Sequence, residues 1–437
     1  MPAPVRNTIC LVVDALHAGY LGAYGNTWLA TPHFDRLASE SFLFDSAFLD
    51  TPDLEQLYRS YWQGIHAAVP EHFAAEPRSL PALLAARGVE TILLADDPRI
   101  AGHPAAVDFD DVVPLDLPAS TSARELAETE EATELARFFA QLIGRLEGQR
   151  EPFFLWGHCG TLGRVWDAPL SLRRALLAEE ADDDSGPAHF EAVPFESLEA
   201  VEPPAQLLSL DHDPDERLGW RRAYAAQIVV LDRCLGALRE ALVESAWGGN
   251  TLLVILGARG FPLGEHRQLG WPRWHLHDEL IHFPWSCRFP DHTAAALRTP
   301  ALVQPADLPA TLAEWHGLPP AGEGSFAPPG WGRSLWPLVQ GEVEQVRDRV
   351  LTTTGAGEFV LRTPAWMLRK LPVGAAPRDT ELFVKPDDRW EVNEIGDRCP
   401  EVLAEMDARL DELRAPGRML DPNPLEPLSD SLLRGPN

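Results

Sequence analysis

Cysteine is scarce in this sequence, and its cysteines stand at no paired spacing. The 437 residues include five, which are Cys10, Cys159, Cys234, Cys287 and Cys399. A disulfide framework needs an even set of cysteines, and a zinc cluster needs closely spaced pairs. The sequence therefore predicts neither, and it favours the reducing cytoplasm as the location of the protein.

Long apolar runs are also absent. A membrane helix needs roughly 20 consecutive apolar residues, and no stretch of this sequence approaches that length. The short apolar run near the N-terminus is interrupted by Asp14 and lacks a small-residue cleavage site. It predicts a first β-strand rather than a signal peptide, and we expect no membrane partner.

Basic residues are outnumbered by acidic ones. Lys and Arg total 37 against 66 Asp and Glu, which gives a formal net charge of -29. Nucleic-acid binding needs a basic surface that neutralises phosphates, so no nucleic-acid partner is expected. The same balance argues against holding a sulfated or phosphorylated polymer over a broad face, but it leaves room for a local basic pocket.

Four short apolar runs predict buried β-strands. They lie at residues 8–13, 90–95, 153–156 and 251–256, and runs of this kind are typical of strands buried on both faces of a parallel sheet. Helical patterns separate them, and the clearest helix begins after Asp213, which reads as its N-cap. Strands that alternate with helices predict an α/β fold with a large, mostly parallel mixed sheet covered by helices on both faces.

Two irregular stretches bear on the domain organisation. Residues 179–216 are rich in acidic residues and proline, which predicts an acidic surface insertion. Residues 418–437 carry many prolines and predict a poorly ordered tail.

Seven segments, taken in order, resemble the sulfatase family of the alkaline-phosphatase-like superfamily. They are residues 14–25, 31–38 (TPHFDRLA), 152–156 (PFFLW), 264–266 (GEH), 278–284 (DELIHFP), 307–312 with 332–338, and 381–393. The resemblance implies one large α/β domain over residues 1–345, and a small antiparallel sheet with a helix over residues 346–417. It also implies the activity of the family, which is hydrolysis of sulfate esters by a formylglycine bound to a divalent metal, usually calcium.

The residues that this activity needs are replaced here. Residues 44–64 align to the family's nucleophile region without a gap, and they place Leu54 at the nucleophile and Tyr58 at the motif's arginine. Leucine has no heteroatom that can be oxidised or can attack an ester. By the same resemblance, Gly163 stands where the family has a histidine that contacts the leaving group, and Arg273 stands where it has a lysine.

The metal ligands of the family are also largely lost. Asp14 matches the first acidic ligand, but Ala15, Ala258 and Arg259 stand at the others. Calcium prefers six to eight oxygen ligands, largely from carboxylates. We therefore expect no cofactor, and calcium only if the protein is an active hydrolase. Arg259 either fills the volume of the cation and pairs with Asp14 or turns outward, and Asp14 is expected chiefly to cap nearby backbone N–H groups.

Other candidate groups are weaker. His158 matches an earlier histidine of the family, and Cys159 beside it is either a nucleophile or, more commonly, a small core residue. The cluster His275, His277, Asp278 and His282 has the residue types of a transition-metal site, but its spacing favours surface or supporting roles.

The leading hypothesis is a catalytically silent member of the sulfatase family, with a binding or regulatory role and an unknown small-molecule or protein ligand. The first alternative is an active sulfate- or phosphate-ester hydrolase that recruits His158, Arg259 and Arg273. The second is a structural partner of an active sulfatase paralogue. Fold alone does not decide among these hypotheses.

Overall fold

The strands of the computed structural model fall into three sheets. The model describes residues 6–70, 78–115, 125–178, 195–273, 275–319, 326, 331–372, 374, 379–415, 417–421 and 425–435. In chain order the strands are β1 (Asn7–Val13), β2 (Phe42–Ala47), β3 (Glu90–Ala95), β4 (Asp111–Pro114), β5 (Phe153–Cys159), β6 (Gln206–Leu207), β7 (Thr251–Gly257), β8 (Gln268–Leu269), β9 (Trp285–Arg288), β10 (Arg298–Val303), β11 (Val350–Thr353), β12 (Phe359–Arg362), β13 (Trp366–Lys370) and β14 (Thr380–Val384).

The large sheet has eight strands in the order β10-β2-β9-β7-β1-β5-β3-β4. Every neighbouring pair in it is parallel except the two pairs that β9 makes, with β7 and with β2. The four predicted strands are β1, β3, β5 and β7, which lie side by side at the centre. The predicted large, mostly parallel mixed sheet is confirmed.

Helices cover both faces of this sheet. In chain order they are α1 (Pro32–Ser39), α2 (Leu54–Gln63), α3 (Leu80–Ala85), α4 (Pro98–Ala101), α5 (Glu134–Leu146), α6 (Leu170–Ala178), α7 (Phe195–Glu199), α8 (Pro214–Glu244), α9 (Asp278–Ile281), α10 (Asp307–Trp315), α11 (Trp336–Val339), α12 (Pro400–Arg414) and α13 (Asp430–Arg434). One core lies between the sheet and helices α1, α5 and α8, and the opposite core lies under α2, α3 and α10. Asp213 caps α8 as predicted, because its side chain accepts a hydrogen bond from the backbone N–H of Asp215.

The second sheet is the small antiparallel sheet that the resemblance implied, in the order β11-β12-β13-β14. Helix α12 packs against it in a third core. The exact boundaries predicted for the two domains stay a prediction. Part of the predicted acidic insertion, residues 179–194, lies outside the described residues, and its described remainder includes α7, which packs against α8.

The prediction of a poorly ordered tail is wrong for the part of the tail that is described. Helix α13 packs into the third core, where Leu432 is fully buried. The Trp366 indole donates to the Ser431 carbonyl at 2.8 Å, and the Thr363 hydroxyl donates to the Leu432 carbonyl at 2.8 Å. The prediction relied on the number of prolines, but the buried leucines between them hold the tail against the third core.

All five cysteines are free, as the sequence predicts, and four of them are buried. Within the described parts of the chain, no helix is both long and apolar enough to cross a membrane.

His66 joins the large domain to the small sheet, and it makes the stability of the protein depend on pH. Its ring donates from Nε2 to the Leu351 carbonyl at 3.0 Å and accepts at Nδ1 from the Ala68 N–H at 3.0 Å, which uses both nitrogens of the neutral form. Burial lowers the pKa of His66 to about 3 from its ordinary 6.5. Between pH 6.5 and about 3, His66 is therefore protonated in the unfolded chain but neutral in the folded chain. The contribution of His66 to the free energy of unfolding is fully present above pH 6.5 and is lost as the pH falls from 6.5 towards 3.

We expect the contribution of His66 to fall by about 1.4 kcal/mol for each pH unit within that window. Urea unfolding measured at several pH values should give a shallower pH slope for His66→Gln than for the wild type. His292→Asn, at an exposed position, is the matched control and should keep the wild-type slope. An unchanged slope in His66→Gln would contradict the prediction, whatever the absolute stability of the variant.

Candidate functional site

Three neighbouring strands end at one edge of the large sheet, where α/β proteins commonly place function. Asp14 follows β1, His158 lies near the end of β5, and Ala258 follows β7. Backbone hydrogen bonds hold these ends together: the Asp14 N–H donates to the Cys159 carbonyl at 2.9 Å, and the Ala258 N–H donates to the Val13 carbonyl at 3.0 Å. The register of the sheet thus brings together residues that are far apart in the sequence.

A buried salt bridge joins Asp14 to Arg259. Nε of Arg259 donates to Oδ1 of Asp14 at 2.9 Å, and Nη2 donates to Oδ2 at 2.5 Å. The two side chains are only 4% and 3% exposed. The predicted pairing is confirmed, and the alternative in which Arg259 turns outward is wrong. The expectation that Asp14 chiefly caps backbone groups is also wrong, because both of its carboxylate oxygens accept from the guanidinium.

Calcium does not fit these donors. The carboxylate of Asp14 is already engaged by a cation on both oxygens, and the methyl groups of Ala15 and Ala258 offer no ligand atoms. A divalent ion about 4 Å from the guanidinium would be repelled by roughly 8 kcal/mol at an effective dielectric constant near 20. No step of a reaction can be derived through a metal at this position.

Trp271 covers the same pair. The Arg259 guanidinium carbon lies 3.8 Å from the centroid of the Trp271 ring, a close cation–π contact. The indole N–H donates to the Gly260 carbonyl at 3.0 Å, which fixes the ring. A Cβ atom at Gly163 would lie 2.8 Å from this ring and 3.3 Å from the Cβ of Ala15. The indole therefore occupies the space into which a side chain at position 163 would project.

Ala15 lies in a tight turn directly after Asp14. It is fully buried and has a φ of 66°, in the left-handed region that alanine rarely adopts. The Tyr224 hydroxyl holds the turn, because it donates to the Ala15 carbonyl at 2.7 Å and accepts from the His17 N–H at 2.9 Å.

Leu54 is the first residue of α2, whose N-cap is Asp53. The Asp53 carboxylate accepts from the Gln56 N–H at 3.1 Å, so the helix begins where the sequence places the nucleophile position. Leu54 is 4% exposed and packs in the core under α2. A hydrocarbon side chain in a closed core has no chemistry to offer to an ester.

Tyr58 and His158 form a second buried contact at this edge. The Tyr58 hydroxyl lies 2.5 Å from Nδ1 of His158, and both side chains are fully buried. Burial raises the pKa of Tyr58 well above its ordinary value and lowers the pKa of His158, so both groups are neutral at pH 7. Burial likewise raises the pKa of Cys159 well above its ordinary value. Its thiol stays protonated, which favours the core role of this cysteine over the nucleophile.

Arg273 does not join these residues in the buried site, because its side chain is exposed to solvent. Asp14, Leu54, Tyr58, His158, Ala258 and Arg259 are all at most 4% exposed. Apart from Gly163 and Arg273, the positions that the resemblance assigns to catalysis and metal binding are therefore filled by packed side chains.

A histidine pair lies between the large domain and the small sheet. Of the predicted cluster His275, His277, Asp278 and His282, only His277 belongs to a group whose ligand atoms lie within 4.8 Å of one another, together with His266 and Glu391. The rings of His266 and His277 stack at 3.5 Å. His266 and Glu391 lie in segments that resemble family motifs, but no pattern in the sequence indicates that they meet His277.

Cations already surround this group. Arg369 donates to Nε2 of His277 at 2.9 Å, and Lys385 donates to Glu391 at 2.7 Å and to Asp278 at 2.8 Å. Burial lowers the pKa of His277 well below its ordinary value, and Arg369 adds to this effect. The geometry is that of a buried charge network which joins the two sheets, and both ring nitrogens of His277 already have protein partners in it.

The fold and the site together define an alkaline-phosphatase-like α/β protein with rebuilt residues at the strand ends. The family model for sulfatases matches residues 6–318. The chain is 23% identical to human iduronate 2-sulfatase over 348 residues, which cover 66% of this chain and 60% of that protein. The chain thus matches less than two thirds of the length of that relative. This protein belongs to the sulfatase family.

Solved structures agree in fold. Phosphonate monoester hydrolase of Agrobacterium radiobacter is similar with a TM-score of 0.71 at 18% identity, covering 94% of this chain and 95% of that one. A protein solved in complex with its substrate D-glucosamine-2-N,6-O-disulfate gives a TM-score of 0.70 at 15% identity, covering 94% and 98%. At these identities the similarity describes the fold alone.

Proposed function

We propose that this protein has lost sulfate-ester hydrolysis and acts through binding or regulation on the framework of a sulfatase. The observation that carries the proposal is the buried bidentate pair of Asp14 and Arg259, at the positions where the resemblance places metal ligands. A guanidinium there balances the charge of Asp14 without a divalent ion. The site is thus stable in itself and has no vacant ligand position.

The groups around the pair support the same proposal. Leu54 contributes only hydrocarbon at the nucleophile position, and the Tyr58 hydroxyl and the Cys159 thiol stay protonated in their buried surroundings. Attack on a sulfate ester needs an activated oxygen or sulfur with access to substrate. None of these three side chains has both an activated oxygen or sulfur and access to a substrate.

The first alternative, an active hydrolase built on His158, Arg259 and Arg273, needs these groups to face one open cleft. His158 and Arg259 are at most 3% exposed, whereas Arg273 is exposed at the surface. The geometry therefore favours the silent protein. The second alternative, pairing with a sulfatase paralogue, is a form of the binding role that light scattering of the two proteins together tests.

The proposal is tested by measuring calcium content and ester turnover on the purified protein. We expect substoichiometric calcium after incubation with the ion, and no turnover of an aryl sulfate or an aryl phosphonate above the buffer rate. An active sulfatase prepared in parallel verifies the assays. Stoichiometric calcium together with turnover that is lost in both Asp14→Asn and Tyr58→Phe would overturn the proposal.

A further inference from the structure

A cavity of about 370 Å³ opens beside the loop that follows β1. Its walls come from that loop, from the N-terminal half of α8 and from the segment after β14, and they include Trp28, Arg221, Arg222, Arg389 and Trp390. A volume of this order is within the range of small-molecule sites. Asp14, Leu54, Tyr58 and Arg259 do not line it, so the cavity is separate from the family's catalytic positions.

The charge in this cavity is opposite to that of the whole chain. Three of its lining residues are arginines, and its one lining carboxylate is Glu265. Glu265 is already engaged, since Arg221 donates to it at 3.2 Å. Arg389 donates to the Tyr24 carbonyl at 3.2 Å, and no carboxylate in the described parts of the chain lies within ion-pair distance of it. In a protein with a net charge of -29, such an excess of guanidinium groups attracts an anion locally.

Two indoles stand at the same cavity and are unusually open to solvent. Trp28 is 44% exposed and Trp390 is 54% exposed, although most of the large aromatic side chains in the described chain are buried. The Arg222 guanidinium carbon lies 4.5 Å from the ring centroid of Trp28, and that of Arg389 lies 5.2 Å from the ring of Trp390. Each pair presents an aromatic face next to a cation, which suits a flat ring that carries an anionic group.

The neighbouring acidic groups do not cancel this charge. A small adjoining recess contains Asp278 and Glu279, but Lys385 donates to Asp278 at 2.8 Å, and His266 lies 2.8 Å from Glu279. Both carboxylates are therefore already balanced by partners of their own.

We propose that this cavity binds a small organic anion in which a phosphate, sulfate or carboxylate group is attached to a flat ring. The guanidinium groups of Arg221, Arg222 and Arg389 hold the anionic group, and the indoles of Trp28 and Trp390 hold the ring. A metal cation is disfavoured by the three guanidinium groups, and a purely apolar ligand would supply no anionic partner for Arg389, which has no carboxylate within ion-pair distance in the described parts of the chain. The proposal goes beyond the proposed function, because it holds whether or not the protein hydrolyses esters.

Isothermal titration calorimetry at low ionic strength tests the proposal. The ring-bearing anions are adenosine monophosphate and benzoate, which separate a nucleotide from an aromatic acid as the source of the flat ring. Adenosine and inorganic phosphate supply the ring and the charge alone. At least one ring-bearing anion should bind saturably and more tightly than either part, and its affinity should fall as salt is added.

Two surface variants connect this binding to the cavity. Arg389→Ser and Trp390→Ala change exposed side chains, so both are expected to fold. Each should weaken binding about tenfold, the effect of losing one charge-assisted hydrogen bond or one stacking contact. Arg36→Ser and Leu210→Ala are the matched controls, at side chains that are exposed elsewhere, and they should bind as the wild type does. The proposal is overturned if no ring-bearing anion binds saturably, or if both cavity variants retain wild-type affinity.

Discussion

Replacing Arg259 with alanine is expected to lower the free energy of unfolding by about 3–5 kcal/mol. The change leaves the carboxylate of Asp14, which is 3% exposed, without its cation. It also removes the guanidinium that covers Trp271. A buried charge that loses its partner is costly because neither water nor another cation can reach it. Urea unfolding of the purified variant at neutral pH measures the loss.

A double-mutant cycle separates the interaction energy between Asp14 and Arg259 from the effect of the packing that each substitution removes. Asp14→Ala combined with Arg259→Ala should be clearly less destabilised than the sum of the two single variants, because no unpaired charge remains. Arg36→Ala is the control, since this arginine is 65% exposed and lies 3.7 Å from Glu40. It should cost no more than about 1 kcal/mol. A loss in Arg259→Ala as small as that of Arg36→Ala would show that the pair has no structural role.

Replacing Gly163 with histidine, the residue type that the family resemblance places there, should also destabilise the protein strongly. A Cβ at this position would lie 2.8 Å from the Trp271 ring, and the ring is fixed by Arg259 and by the Gly260 carbonyl. Overpacking by a whole imidazole should cost at least about 3 kcal/mol, the upper end of the usual range. Urea unfolding measures this loss as well.

Removal of the indole should relieve the clash. The loss in free energy of unfolding of Gly163→His combined with Trp271→Ala is expected to be smaller than the sum of the losses in the two single variants. The reason is that the imidazole takes the space that the indole leaves. Gly144→His is the control, since a Cβ at Gly144 meets no atom within 4 Å. If Gly163→His were as stable as this control, the indole would not fill the site.

The centre of the fold follows from local sequence. Strands β7, β1, β5 and β3 lie side by side, and each is a continuous apolar run because both of its faces are buried. The outer strands were not predicted, since they mix apolar residues with polar ones or with proline, as Asp45, Arg288 and Pro300 show. Polar residues and proline interrupt the continuous apolar run that indicates a buried strand, even in β9, whose residues are all buried.

The candidate site was predictable where neighbouring strand ends fix the geometry. The pair of Asp14 and Arg259 follows from two adjacent strands and from opposite charges. The contact between Gly163 and Trp271 does not follow, because Trp271 lies in a loop whose path no residue pattern specifies. The stacking of His266 on His277, and their meeting with Glu391, likewise depends on how the small sheet docks, which local sequence does not encode.

The turn at Ala15 has a consequence for comparing this protein with its relatives by backbone alone. A left-handed alanine is disfavoured by roughly 1–2 kcal/mol relative to the ordinary helical region, whereas aspartate, the residue type that the resemblance places there, tolerates it better. Tyr224 nevertheless keeps the turn in that shape through both of its hydrogen bonds. The main chain thus keeps a turn that an acidic residue would tolerate better, so a comparison of backbones alone would not detect that position 15 carries a methyl group in place of a carboxylate.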